Sequence, residues 1–368
     1  VALVPFRHSV GSKSAKIALV GEAHGADEEE CGKPFVGQSG RELARMAFEA
    51  GLLKNPLPDR WLSNKDMIYY WEASGLFLTN VLALRPPKNN LDALCASKKE
   101  VGNDYPMPGL RQGKYLRPEF LPELARLQEE ISEVKPNLVL ALGNTACWAI
   151  LHSTKIGSIR GAVAQAGHQK VLPTFHPAAV LRNWALRPVV VADLLKAKTE
   201  GSFAEVRRPK RCVLVNPTLP EIEQWYEGEA KHADIISADI ETGAGQIKCI
   251  GFATRPDLAI VIPFVDLTKP SGCFWDNPID EDAAWQWVRR ILALPCAKVG
   301  QNFMYDLQYL MRVGIRPCNV REDTMLLHHS LFPELQKGLG FLGSIYTQEP
   351  AWKLMARQKL QEGEKKDG

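Results

Sequence analysis

The 368-residue sequence contains no apolar run near the roughly eighteen residues that a membrane-spanning helix needs. Its first ten residues, VALVPFRHSV, lack the order of a signal peptide, which runs from basic to apolar to small residues. Both absences lead to the expectation of a soluble protein that stays inside the cell, in the cytoplasm. The eight cysteines, at 31, 95, 147, 212, 249, 273, 296 and 318, include no Cys-x-x-Cys pair and no Cys/His spacing suited to zinc. Reduced thiols are therefore expected, not a disulfide framework or a metal cluster. The phosphate-loop signature Gly-x-x-x-x-Gly-Lys-Ser/Thr is also missing, because Gly32 and Lys33 run on into Pro34 and Phe35. A large net charge is lacking as well: 45 Lys and Arg oppose 42 Asp and Glu, leaving +3.

What is present suits two domains of ordinary size, since 45% of the residues are hydrophobic. The small net charge hides an asymmetry, roughly +7 over residues 1–210 against roughly −4 over 211–368. In the first half, strand-like and helix-like segments alternate. Ile17–Val20, Leu76–Leu84, Leu138–Leu142 and Lys170–Thr174 read as strands. Arg41–Ala50, Pro118–Val134, Asn144–Leu151 and Pro188–Lys196 read as helices, with a loop at His176. The alternation predicts a mainly parallel sheet covered by helices on both faces, an α/β/α sandwich. Function in such sheets sits at the carboxyl ends of the strands. Gly21–Gly25, Asn80 with Arg85–Pro87, Gly143–Asn144 and His176–Arg182 should therefore converge on one crevice.

These crevice segments carry a resemblance. GEAHGADEEECGKPFVG, LTNVLALRPP, NLVLALGNTA, Arg160-Gly161 and TFHPAAVLR resemble, in order and spacing, the uracil-DNA glycosylase superfamily, nearest its family-4 type, over about residues 15–200. The resemblance implies an enzyme that rotates a base out of DNA into a pocket and reads its edge. It gives Phe35 the role of stacking platform and Asn80 that of base reader. It makes His176 a donor to the base as negative charge develops during N-glycosidic cleavage. Leu181 or Val180 would wedge into the gap in the duplex, while Arg85 and Arg182 would hold phosphates. Family-4 enzymes hold an iron–sulfur cluster on cysteines; here Leu84 stands at one such place and the N-terminal pair is absent, so no cluster is expected. Ala23 occupies the base-binding position where the commonest relatives have a water-activating Asp, and His24 a position where proline is usual. Glu22, Glu28 or His24 is left to orient water.

Beyond Lys198 the pattern breaks at a polar linker, 201–211, after which a domain over 212–368 is expected. Strand Cys212–Val215, helix Leu219–Gly228 and strand Asp234–Ile240 lead to Asp239 and Glu241. These two acids, at i and i+2, share one face of a strand and suit a cation. Strands Ile247–Thr254 and Leu258–Val265 and helix Asp280–Leu294 follow. Lys298–Leu310 then places a strand before Asn302-x-x-x-Asp306. Over about 211–353 this half resembles the 3′→5′ proofreading exonuclease domain of family A DNA polymerases, an RNase H-like mixed sheet. Its phrasing is nearest that of phage polymerases with a glycosylase-like domain in front, which would place it in a host cytoplasm.

That second resemblance implies two Mg²⁺ or Mn²⁺ ions on Asp239, Glu241 and Asp306, with Asn302 contacting a single-stranded 3′ end. Asp323 is expected in a structural turn, and His328 and His329 on a helix surface or edge. The family's fourth carboxylate, four residues after a Tyr or His, has no match, since Asp367 follows Gly363. A fragment of a longer polymerase, C-terminally incomplete and joined to a downstream polymerase domain, is therefore the expectation. The alternative is a docking module that binds DNA or uracil with neither site active.

Overall fold

The protein is described by a computed structural model over residues 4–58 and 62–349. Two compact units emerge, one taking the chain up to Arg207 and again from Gly340, the other Arg208–Leu339. The return of the last segment to the first unit has a physical cause. Buried Lys196 donates from Nζ to the carbonyls of Gly161, Ser344 and Thr347, each at 2.7 Å, and Arg160 donates to Ser344 Oγ at 2.7 Å. Without Ser344 and Thr347 that buried ammonium would lack two of its three acceptors. Gly363 and Asp367 lie outside the described residues.

The first unit is built on a six-stranded sheet in the order Val10–Gly11, Phe77–Leu82, Ile17–Ala23, Leu138–Leu142, Gln169–Thr174, Ala164–Ala166. The central four strands are parallel, and the two short edge strands run antiparallel to their neighbours. Alternation along each strand feeds two cores. Ile17, Leu19, Leu138 and Leu140 pack on one face, and Ala18, Val20, Val139 and Ala141 on the other. Helices Gln38–Glu49 and Arg187–Glu200 cover the first core, and Leu121–Val134 and Gly143–Leu151 the second. The predicted α/β/α sandwich is the observed one. The expected loop at His176 is present but short, Phe175 and His176, and it leads into a helix the sequence did not announce, Pro177–Arg182, with His176 as its N-cap and Pro177 at the first helical position, where a missing N–H costs nothing.

The second unit also has six strands, ordered Val320–Asp323, Ala297–Gly300, Ile235–Gly243, Gln246–Arg255, Leu258–Pro263, Cys212–Val215. An antiparallel meander of three strands, Ile235–Gly243 through Leu258–Pro263, is extended by parallel strands on both sides. This mixed order is the RNase H-like arrangement expected from the sequence. Ile236, Ala238 and Ile240 face a core with Ile222, Trp225, Val288 and Ile291, while Ile235, Ser237, Asp239 and Glu241 alternate onto an exposed face. His328, expected on a helix surface or edge, is buried, and its ring lies 5.8 Å from that of Phe332. Among the described residues no helix is long and apolar enough to cross a membrane.

Candidate active site

Three strand ends and one loop of the first unit meet at a cavity of about 300 Å³. It is lined by Glu22, Ala23, His24, Phe35, Asn80, His176 and Arg182, among others. Glu22 and Ala23 end the strand Ile17–Ala23. Asn80 sits in register with Gly21 on the neighbouring strand, and His176 follows the strand Gln169–Thr174. The bare backbone of Gly21 leaves room for two side chains of the cavity. A Cβ there would overlap Asn80 Oδ1 and lie 2.5 Å from Phe35 Cζ.

Phe35 is buried and adopts φ +58°, a left-handed conformation that side chains other than glycine rarely take. Its surroundings enforce it. Trp71 Nε1 donates to the Phe35 carbonyl at 2.8 Å, and a Cβ at Gly40 would overlap that same carbonyl. The Phe35 ring thus stands 6.2 Å from His176, tilted by 28°, with space between strand ends for a flat group.

His176 Nδ1 accepts from Ala178 N at 3.2 Å, so the neutral imidazole carries its proton on Nε2, as a donor. Burial pulls its pKa down to about 4, with Glu22 opposing and Arg182 assisting. Glu22, half-buried, accepts from Thr145 Oγ1 at 2.5 Å through Oε2. Glu28, another of the candidates for orienting water, is bound to the backbone of its own loop. Its Oε1 accepts from Val36 N (3.1 Å) and Gly37 N (2.9 Å), and its Oε2 from Gly25 N (3.0 Å). Three backbone donors hold this carboxylate in place at the cavity wall, so Glu28 shapes the Phe35 loop. His24 is buried beside His8, ring centroids 5.7 Å apart, and burial lowers its pKa to about 4.

Other expected site residues are less central. Val180 is wholly buried, which removes it as a wedge, while Leu181 on the helix Pro177–Arg182 is 45% exposed. Arg85 is engaged by Glu29 at 3.0 Å and by Asn89 Oδ1 at 2.7 Å, whereas Arg182 is exposed at the cavity rim. The sequence reading missed Trp71, which no motif marks. Glu28 did leave a trace, because Gly25-x-x-Glu28 has the spacing by which a helix-start carboxylate reaches back to the residue before its helix.

The sequence model of the uracil DNA glycosylase superfamily matches residues 8–197, just over half of the chain. The chain belongs to the uracil DNA glycosylase superfamily. Among curated relatives, the type-4 uracil-DNA glycosylase of Archaeoglobus fulgidus is 30% identical over 196 residues, 51% of this chain and 77% of that protein. That of Thermotoga maritima is 28% identical over 194 residues, 51% of this chain and 79% of its own. Solved structures similar to the chain include Escherichia coli RNase D, an exoribonuclease involved in structured RNA processing. It has a TM-score of 0.29 and 16% identity, and the match covers 38% of this chain and 34% of that one. A manganese- and GMP-soaked EXD2 exonuclease domain gives 0.26 and 17%, covering 38% and 71%. Likenesses this remote leave the second unit to be read from its own strand order and side chains.

In that unit Asp239 and Glu241 share the exposed face of their strand, as the sequence implied. Asp306 is buried on the helix Phe303–Arg312, and its Oδ1 accepts from Ile240 N at 2.8 Å. On the strand Ile235–Gly243, the neighbouring strand Ala297–Gly300 reaches only Ile235–Ser237, and beyond it Asp306 accepts from Ile240 N. Burial lifts the Asp306 pKa to about 6, helped by the charges of Asp239 and Asp323. Asn302 is the N-cap of that helix, at φ +55°, and Asp323 accepts from Asn302 N (3.0 Å) and Phe303 N (2.8 Å). Among the described residues no group of three or more His, Cys, Asp or Glu is arranged to hold a metal ion.

Glu28 yields a prediction here. Changing Glu28→Ala strands three backbone donors, two of them buried, and is expected to cost on the order of 2–4 kcal/mol. Urea unfolding of the chain checks it, with Glu28→Gln expected in between because its amide meets Gly25 N–H with another donor.

Proposed function

We propose that the first unit hydrolyses the N-glycosidic bond of uracil in DNA. The observation that carries this reading is the placement of Phe35, Asn80 and His176, drawn from three separate segments, on one cavity. A base turned out of the strand stacks on Phe35, and the Asn80 carboxamide pairs with its polar edge. As the bond between the base and C1′ breaks, charge develops on the base oxygen, and the Nε2–H of neutral His176 donates to it. Glu22, held by Thr145, directs a water to C1′. The water oxygen bonds to C1′, its proton passes to the departing base, and the products are free uracil and an abasic site. Arg182 holds a flanking phosphate and Leu181 fills the gap in the stack.

The family-4 resemblance brings an iron–sulfur cluster with it, and the residues do not fit one. Such a cluster takes four cysteine thiolates, and the first unit has Cys31, Cys95 and Cys147 only. Cys31 packs against one core and Cys95 and Cys147 belong to the other, while Leu84 lies among the apolar side chains of the second.

For the second unit the proposal is a 3′→5′ proofreading exonuclease serving a DNA polymerase. Its support is the motif pattern and the shared face of Asp239 and Glu241. Asp239, Glu241 and Asp306 are not gathered into a cage for two divalent ions. Trimming of a single-stranded oligonucleotide in Mg²⁺ or Mn²⁺ is accordingly expected to be slow, and absent in EDTA. Digestion that persists in chelator would remove the two-metal reading. For the first unit, alkali-labile abasic sites should form in uracil-containing but not thymine-containing strands, with EDTA present. Tight uracil-selective binding without abasic sites would favour a docking module.

A further inference from the structure

Behind Asn80 lies a buried ion network that neither the motifs nor the proposed chemistry uses. Arg126, Glu123 and Glu130, all on the helix Leu121–Val134, are 2%, 4% and 0% exposed. Arg126 Nη2 donates to the carbonyls of Asn80 (2.6 Å) and Val81 (3.1 Å), its Nε to Glu123 Oε2 (3.0 Å), and its Nη1 meets Glu130 Oε2 (3.0 Å). Glu123 Oε2 also accepts from Ala83 N (3.0 Å), and Glu130 Oε2 from Thr79 Oγ1 (2.6 Å). Residues 79, 80, 81 and 83 are thus all bound by one helix.

The strand order explains why they need it. Strand Phe77–Leu82 pairs on its inner side with Ile17–Ala23, as far as Leu82. On its outer side the short strand Val10–Gly11 reaches only Phe77 and Leu78. From Thr79 onward the outer edge has no partner strand, and buried backbone polar groups there require other partners. The Arg126 fork supplies them at the peptide that carries Asn80.

We propose that Arg126, oriented by Glu123 and Glu130, is a positioning group for base recognition, fixing the Asn80–Val81 backbone and so the angle at which the Asn80 carboxamide enters the pocket. This rests on the reading of Asn80 as the base reader. An apolar helix face would cover the same strand without the desolvation cost of three buried charges, but it would not hold a chosen peptide orientation.

A double-mutant cycle on the full chain tests this. The variant Arg126→Met with Glu123→Gln and Glu130→Gln removes the network while leaving no lone buried ion. The readout is affinity for a single-stranded oligonucleotide with one uracil, relative to thymine at the same place. A loss of discrimination of roughly tenfold or more is expected, as for a misplacement of about an ångström. In an Asn80→Ala background the same changes should add nothing. Unchanged discrimination, or a loss that multiplies with that of Asn80→Ala, overturns the proposal. If the triple variant does not fold, Arg126→Lys carries the same cycle, with a smaller loss expected and the same silence over Asn80→Ala. If the wild type shows no preference for uracil, the reading of the pocket fails by itself. The positioning is then read from the Asn80 side-chain amide resonance, which should shift in the network variant and is unmoved if the proposal is wrong.

Discussion

Replacing His176 with Ala is expected to slow single-turnover uracil release by on the order of 10²–10³-fold, with little change in affinity for uracil-containing DNA. The asymmetry follows from when the Nε2–H acts. Its partner oxygen gains negative charge only as the glycosidic bond breaks, whereas stacking on Phe35 and pairing with Asn80 operate in the bound state. A neutral donor also fixes the pH dependence. Burial holds His176 near a pKa of about 4, so as far as this group is concerned release should be flat from pH 8 to about 5. Below that, protonation removes the lone pair that accepts from Ala178 N, and the rate should fall. Stability follows the same sign. His24 and His176 are neutral in the folded chain where unfolded histidines, near 6.5, take up protons. Their contribution is present above pH 6.5 and is lost as pH falls toward 4, on the order of 2 kcal/mol for buried His24. Urea midpoints at pH 7.5 and 4.5 measure it.

Gly21→Ala is expected to weaken recognition from the opposite side, by adding one methyl group. The new Cβ would overlap Asn80 Oδ1 and press on the Phe35 ring, so reader and platform must both move. A loss of at least tenfold in uracil affinity and about 10²-fold in release is expected. Overpacking should add about 1–3 kcal/mol of destabilisation. Wild-type release by this variant would mean that Asn80 and Phe35 do not meet the base as described. Titration of a fluorescent uracil oligonucleotide and single-turnover rates check the two parts separately.

Much of this site was legible because its motifs carry their own geometry. Phe35, Asn80 and His176 lie beyond or beside apolar strand runs, and a parallel sheet gathers such ends. Strands Leu138–Leu142 and Cys212–Val215 occupy the residues read from sequence, since short apolar runs are bounded there by turns or polar residues. Helix Leu219–Gly228 does too, opened by Thr218-x-x-Glu221. The helices Ala26–Cys31 and Pro177–Arg182 were illegible, being too short for an apolar period to develop. Glu28 and Arg126 escaped for another reason. Each acts on backbone atoms of a distant segment, and no spacing in the chain marks a partner chosen by the fold. His328 read as a surface residue because helix position alone does not say which face is covered.

The most direct measurement is the amount of free uracil released, in EDTA, from a single-stranded oligonucleotide carrying one uracil, by the wild-type chain and by Asn80→Ala. Wild-type protein should release uracil in proportion to enzyme under single-turnover conditions, and Asn80→Ala should release it at least tenfold more slowly. Equal release by both, or none by a wild-type chain that nevertheless binds the oligonucleotide, would contradict the assignment of a base-reading, bond-breaking pocket.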